Sequence, residues 1–119
     1  MRQWIAVDLD GTLAKYNGCV DELRIGEPVE PMVARVREWL KRGIEVRIFT
    51  ARVAEGAWNI DATRRDVTRA RREVEDWCER HIGVRLAVTN MKDYGMVELW
   101  DDRAVQVVPN TGLRADGGI

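Results

Sequence analysis

Asp8 and Asp10 stand two apart in Asp8-Leu9-Asp10-Gly11-Thr12, and Thr50 opens Thr50-Ala51-Arg52. Lys92 ends Thr89-Asn90-Met91-Lys92, and Asp101-Asp102 follow Trp100. Each group comes at or just after the end of a short apolar run. Carboxylates in that number are hard oxygen donors of the kind a divalent cation takes, and a hydroxyl and an ammonium beside them can hold an anion. One Asp-x-Asp alone is ordinary turn chemistry. Four polar groups at the ends of four successive runs are much harder to explain as turns.

The runs are the elements that must position these groups. Residues 3–8, QWIAVD, read as a buried strand, and 9–27 as a loop broken by Gly11, Gly18 and Gly26. Pro31 suits the first turn of a helix in which Met32, Val33, Val36, Trp39 and Leu40 recur at helical spacing. Lys41, Arg42 and Gly43 read as its C-terminus. Residues 44–49, IEVRIF, predict a second strand, and 51–60 a connection. Val67, Ala70, Val74, Trp77 and Cys78 mark one face of a helix over about 62–81, stopped by Gly83. Residues 84–88 and 96–100 predict two further strands, and 104–108 a candidate fifth. Strands alternating with helices predict an α/β, Rossmann-like three-layer domain with a mainly parallel sheet and right-handed crossovers. Ligands of such sheets bind at the carboxyl ends of the strands, where the polar groups stand. Residues 1–108 form the expected domain, and 109–119 a loosely held tail.

The composition agrees. A chain of 119 residues that is 45% hydrophobic and 33% charged can build one core and is not that of a disordered segment. A formal charge of −1 excludes a uniformly basic nucleic-acid binder but not a local basic face. No apolar run approaches a membrane span, and the N-terminus lacks the apolar stretch of a signal peptide. Cys19 and Cys78 are too few for a disulfide framework or zinc site, so a reduced, cytoplasmic protein is expected.

In this order the motifs resemble the haloacid dehalogenase superfamily of phosphatases and phosphotransferases. VDLDGTL matches its first motif, DxDGT; Thr50 matches the second, Lys92 the third and the Asp101-Asp102 pair the fourth. The resemblance covers 3–108. FTAR and DDRAV are similar, more loosely, to small phage and bacterial phosphatase-like proteins and to the phosphatase part of polynucleotide kinase-phosphatases. It implies a Mg²⁺-dependent phosphohydrolase acting on a phosphate monoester through an aspartyl-phosphate. Asp8 is then the nucleophile and Asp10 the acid and base. Asp8, Asp101 and Asp102 hold the cation with the main-chain carbonyl of Asp10, Asp102 being a direct ligand or one step removed. Thr50 and Lys92 hold the phosphoryl group, and Gly11, Thr12 and Arg52 line the substrate side. Neither 13–43 nor 53–82 is long enough for an inserted cap. An open site is therefore expected, in a monomer or weak homo-oligomer, acting on a nucleic-acid end, a protein or another large phosphorylated substrate.

Other residues have plainer readings. Lys92 is one of three lysines beside sixteen arginines, and the only one whose position matches a motif; the usual fate of a lone lysine is a solvated surface. His81 suits a helix C-terminus, and Cys78 an apolar helix face. Trp4, Trp39, Trp77 and Trp100 fall in expected elements and read as core, leaving Trp58 in a connection. Arg64, Arg65, Arg69, Arg71 and Arg72 form a basic helix surface diluted by acids. Asn90 and Arg103 are weaker site candidates. Two rival functions remain: an inactive relative that binds metal, phosphate or a partner, and a receiver domain. In a receiver the phosphorylated aspartate ends the third strand; here that strand ends in Thr89-Asn90, which disfavours it.

Overall fold

The structure is a computed structural model that describes residues 2–16, 24–54 and 67–119. Its elements are β1 (Trp4–Val7), α1 (Glu30–Lys41), β2 (Val46–Phe49), a 3₁₀ turn (Ala51–Val53), α2 (Val67–His81), β3 (Ala87–Thr89) and β4 (Met96–Trp100). The strands form one sheet in the order β3-β2-β1-β4, and every pairing is parallel. The chain therefore has the expected α/β, Rossmann-like arrangement. β1 lies between β2 and β4, so Asp8, just past its end, emerges near the middle of the carboxyl edge.

The pairing Ile5↔Val46, Val7↔Ile48 and Ile48↔Val88 puts these apolar side chains on one face. Met32, Val33 and Val36 of α1 and Val74, Trp77 and Cys78 of α2 join the same buried cluster. Both described helices thus cover one face, as two right-handed crossovers running the same way require, so among the described residues the helices form a single layer on the sheet and not the two of the expected three-layer domain. Trp4 and Ala6 point to the other face and are fully buried or nearly so. The connection from β3 to β4 reaches Trp4 on this face. Trp4 Nε1 donates to Asp93 Oδ1 at 2.8 Å, and the Arg47 guanidinium lies 4.3 Å over the Trp4 ring.

α1 begins with Glu30 and Pro31 and has no side-chain N-cap. The acid faces the positive end of the helix dipole, and the proline removes an N–H that would lack a partner. Gly43 follows with φ +78, which ends the helix. In α2 the spacing Ala70, Val74, Trp77, Cys78 is the apolar stripe read from the sequence. Cys78 is buried, and burial pushes its thiol up to about 12, so it is core and no nucleophile. His81 closes α2, its ring 4.7 Å from that of Trp77.

Two further expectations are revised. Residues 104–108 form no strand; they make one antiparallel bridge, Val107↔Arg114, within the tail. β3 begins at Ala87, three residues after the expected start at 84. Arg85 is drawn away instead, donating to Asp76 at 2.6 Å and to Glu79 and Glu75 at 3.2 Å each. Cys19, Trp58, Arg64, Arg65 and the expected first turn of the second helix lie outside the described residues. Among those described, no helix is long and apolar enough to cross a membrane.

Candidate active site at the strand ends

A cleft of about 420 Å³ opens at the carboxyl edge, lined by Asp8, Asp10, Tyr16, Phe49, Thr50, Ala51, Arg52, Asp101, Asp102 and Arg103. Five of the residues singled out by type and spacing, Asp8, Asp10, Thr50, Asp101 and Asp102, meet here together with Arg52. Parallel pairing explains the convergence, since β1, β2 and β4 all end on the same edge. Asp8 N–H donates to the Trp100 carbonyl at 2.9 Å, which holds the start of one acidic motif against the residue just before the other.

Asp8, Asp101 and Asp102 each offer a carboxylate oxygen, and these three atoms lie within 4.8 Å of one another. An all-carboxylate set of this size fits a hard divalent cation such as Mg²⁺. The crowding is visible in Asp8, whose carboxyl is pushed up to about 7. Burial is the largest cause, followed by a hydrogen bond shared with Asp102 and the charges of Asp101 and Asp102; the Thr12 hydroxyl opposes them. Thr12 Oγ1 lies 3.3 Å from both Asp8 Oδ2 and Asp102 Oδ1 and accepts from Asp102 N–H at 3.1 Å. Its one proton serves one carboxylate at a time. Thr12 therefore links the first and fourth motifs rather than facing the cleft as a substrate ligand.

Gly11 has φ +95, and a Cβ there would sit 2.5 Å from Asp102 Oδ2. Only glycine gives the turn its handedness and lets Asp102 come this close. The Leu9 carbonyl accepts from the N–H groups of Thr12, Leu13 and Ala14 at 3.2, 3.0 and 2.8 Å, which tightens the same turn.

Thr50 is buried, and its hydroxyl accepts from Arg52 N–H at 3.1 Å, capping the 3₁₀ turn. The Asp10 carboxylate belongs to a different group from the three acids. Arg52 Nε donates to its Oδ2 at 2.7 Å and Arg52 Nη2 to its Oδ1 at 2.9 Å. Asp101 Oδ1 accepts from Arg103 N–H at 2.7 Å.

Lys92 does not line the cleft. It is exposed in the β3–β4 connection, which turns from the carboxyl edge toward Trp4 and the start of β4. The arginine-rich helix is also partly engaged: Arg71 Nη1 donates to the Val88 carbonyl, and Arg69 pairs with Glu73 at 3.7 Å. Tyr16 and Phe49 line the cleft without having been singled out. Phe49 reads as an ordinary strand residue, and Tyr16 sits in a loop where type and spacing give no signal.

No family model and no curated protein matches the chain. Among solved structures it is similar to a conserved protein coded by a locus of Bacteroides thetaiotaomicron, with a TM-score of 0.59 at 20% identity. The match covers 92% of this chain and 84% of that one. At that identity the likeness establishes the α/β fold over nearly the whole chain.

Proposed function

We propose that the protein is a phosphohydrolase of the haloacid dehalogenase type, cleaving a phosphate monoester through an aspartyl-phosphate on Asp8. The observation that supports it best is the cluster of Asp8, Asp101 and Asp102, within 4.8 Å of one another, in a cleft that also holds Asp10 and Thr50. Mg²⁺ held by Asp8, Asp101 and Asp102 would cancel the repulsion between the Asp8 carboxylate and an anionic ester.

Asp8 attacks phosphorus, the P–O bond to the leaving alcohol breaks, and the alcohol oxygen takes a proton from Asp10. Water then attacks the phosphorus of the aspartyl-phosphate. Asp10 takes its proton, the Asp8–phosphate bond breaks, and inorganic phosphate leaves. The Thr50 hydroxyl donates to a phosphoryl oxygen in both steps while still accepting from Arg52 N–H, which its geometry allows. Lys92 is given no part, because the cleft lining lacks it. Arg103, which lines the cleft, is the better-placed cation for an anionic substrate.

A screen of phosphate esters with and without Mg²⁺, including 3′- and 5′-phosphorylated oligonucleotides, tests this. Turnover that needs the cation and is lost in Asp8→Asn is expected. Failure to hydrolyse any ester with any divalent cation would overturn the reading.

A further inference from the structure

Arg52 reads from the sequence as a handle for substrate, yet the structure gives it another task. Its side chain is only 6% exposed, and two of its guanidinium nitrogens are spent on Asp10, at 2.7 and 2.9 Å. Asp10, 23% exposed, remains open on its other side to the cleft. A planar guanidinium engaging both oxygens of a carboxylate fixes its position and its plane, which a point charge cannot do. The guanidinium is itself anchored. Thr50 caps the turn that carries Arg52, and Arg52 Nη2 also lies 3.4 Å from the Arg24 carbonyl. One side chain thus braces the loop after β1 against the end of β2 and the segment leading to α1.

We infer that Arg52 is a positioning residue for Asp10, holding its carboxyl at the place and angle from which it exchanges a proton with the leaving oxygen and then with water. The inference rests on the phosphohydrolase reading above. Proton transfer is sensitive to such placement, and misplacement by about 1 Å can cost on the order of 10²-fold in rate. Substrate would meet Asp10, and Arg52 would act through it.

The test is a kinetic cycle of Arg52→Lys, Asp10→Asn and the double variant, on an alkyl phosphate and on an aryl phosphate whose phenolate leaves without protonation. Circular dichroism checks each fold, and Arg52→Gln, which keeps one donor, replaces the lysine variant if that does not fold. In Arg52→Lys, kcat on the alkyl ester should fall by on the order of 10²-fold, KM should stay within about twofold, and the aryl ester should lose far less. In the Asp10→Asn background the same change should cost almost nothing, because the group it positions is gone. Equal losses in both backgrounds, or a raised KM with kcat kept, would make Arg52 a direct substrate ligand and overturn the inference. Either result leaves the phosphohydrolase reading standing. A wild-type protein inert toward every ester of the screen, with any divalent cation, sinks that reading and this inference together.

Discussion

Asp8 titrates near 7 in the fold against 3.8 as an ordinary aspartate, and that difference has a sign. Between the two values the native carboxyl keeps a proton that the unfolded chain has released. Its contribution to stability is therefore whole below about pH 4 and lost as the pH rises through 7. A divalent cation competes with that proton, so stabilisation by Mg²⁺ should grow over the same range. Without Mg²⁺, Tm should fall between pH 5.5 and 8, and Asp8→Asn should flatten the slope; excess Mg²⁺ should raise the wild-type Tm more at pH 8 than at 5.5. A metal-free Tm that climbs toward pH 8 would contradict the crowding. Gly11→Ala makes a second prediction at this scale. The φ of +95 costs about 1 kcal/mol for any side chain, and the new Cβ must push Asp102 aside. Calorimetric titration should show Mg²⁺ affinity falling by more than that modest loss of stability implies.

Among the elements, α2 is held by its apolar stripe, and Trp77 does more than fill space. It is buried against the sheet, and its Nε1 donates to the Gly26 carbonyl at 3.1 Å, tying α2 to the segment that precedes α1. Trp77→Ala should cost about 3–5 kcal/mol in urea unfolding. A loss under 1 kcal/mol would mean that the helix packs without it. Elements bounded by sharp signals could be read from the sequence: β4 lies between Gly95 and Asp101, and α1 between Pro31 and Gly43. The candidate fifth strand had the right composition and no place in the sheet. Val105 and Val107 alternate well enough for a strand but remain exposed, as Val108 does, since pattern alone does not supply an edge of the sheet. The site was legible wherever a residue followed a strand in the parallel sheet, as with Asp8, Thr50 and Asp101. Lys92 was not, because its place depends on the path of the β3–β4 connection, and no local pattern records that path. The Arg52–Asp10 pair spans 42 positions and leaves no periodic trace.

For the whole molecule, the β3–β4 connection matters most. It contains no helix, and it returns the chain to the far side of β1, where Trp4 N–H donates to the Gly95 carbonyl at 2.8 Å. Gly95 is tightly enclosed, since a Cβ there would lie 2.1 Å from the Arg2 carbonyl oxygen. Gly95→Ala should therefore unseat the start of β4, lowering both Tm and Mg²⁺ affinity, although residue 95 is at the opposite end of β4 from the acids. Unchanged metal affinity in that variant would show that the two ends of β4 are independent.

Joining Trp4 to Met96 also has a kinetic consequence. β1 and β2 pair across about forty residues, but β1 and β4 must find each other across more than ninety, and closing so long a loop precedes any reward from the contact. Refolding should be slow for a domain of this size, with β1 exposing one unpaired edge until β4 docks. Asp8, the nucleophile of the proposed reaction, would then be without its neighbours for the whole of that interval: Asp101 and Asp102 join it only when the sheet closes.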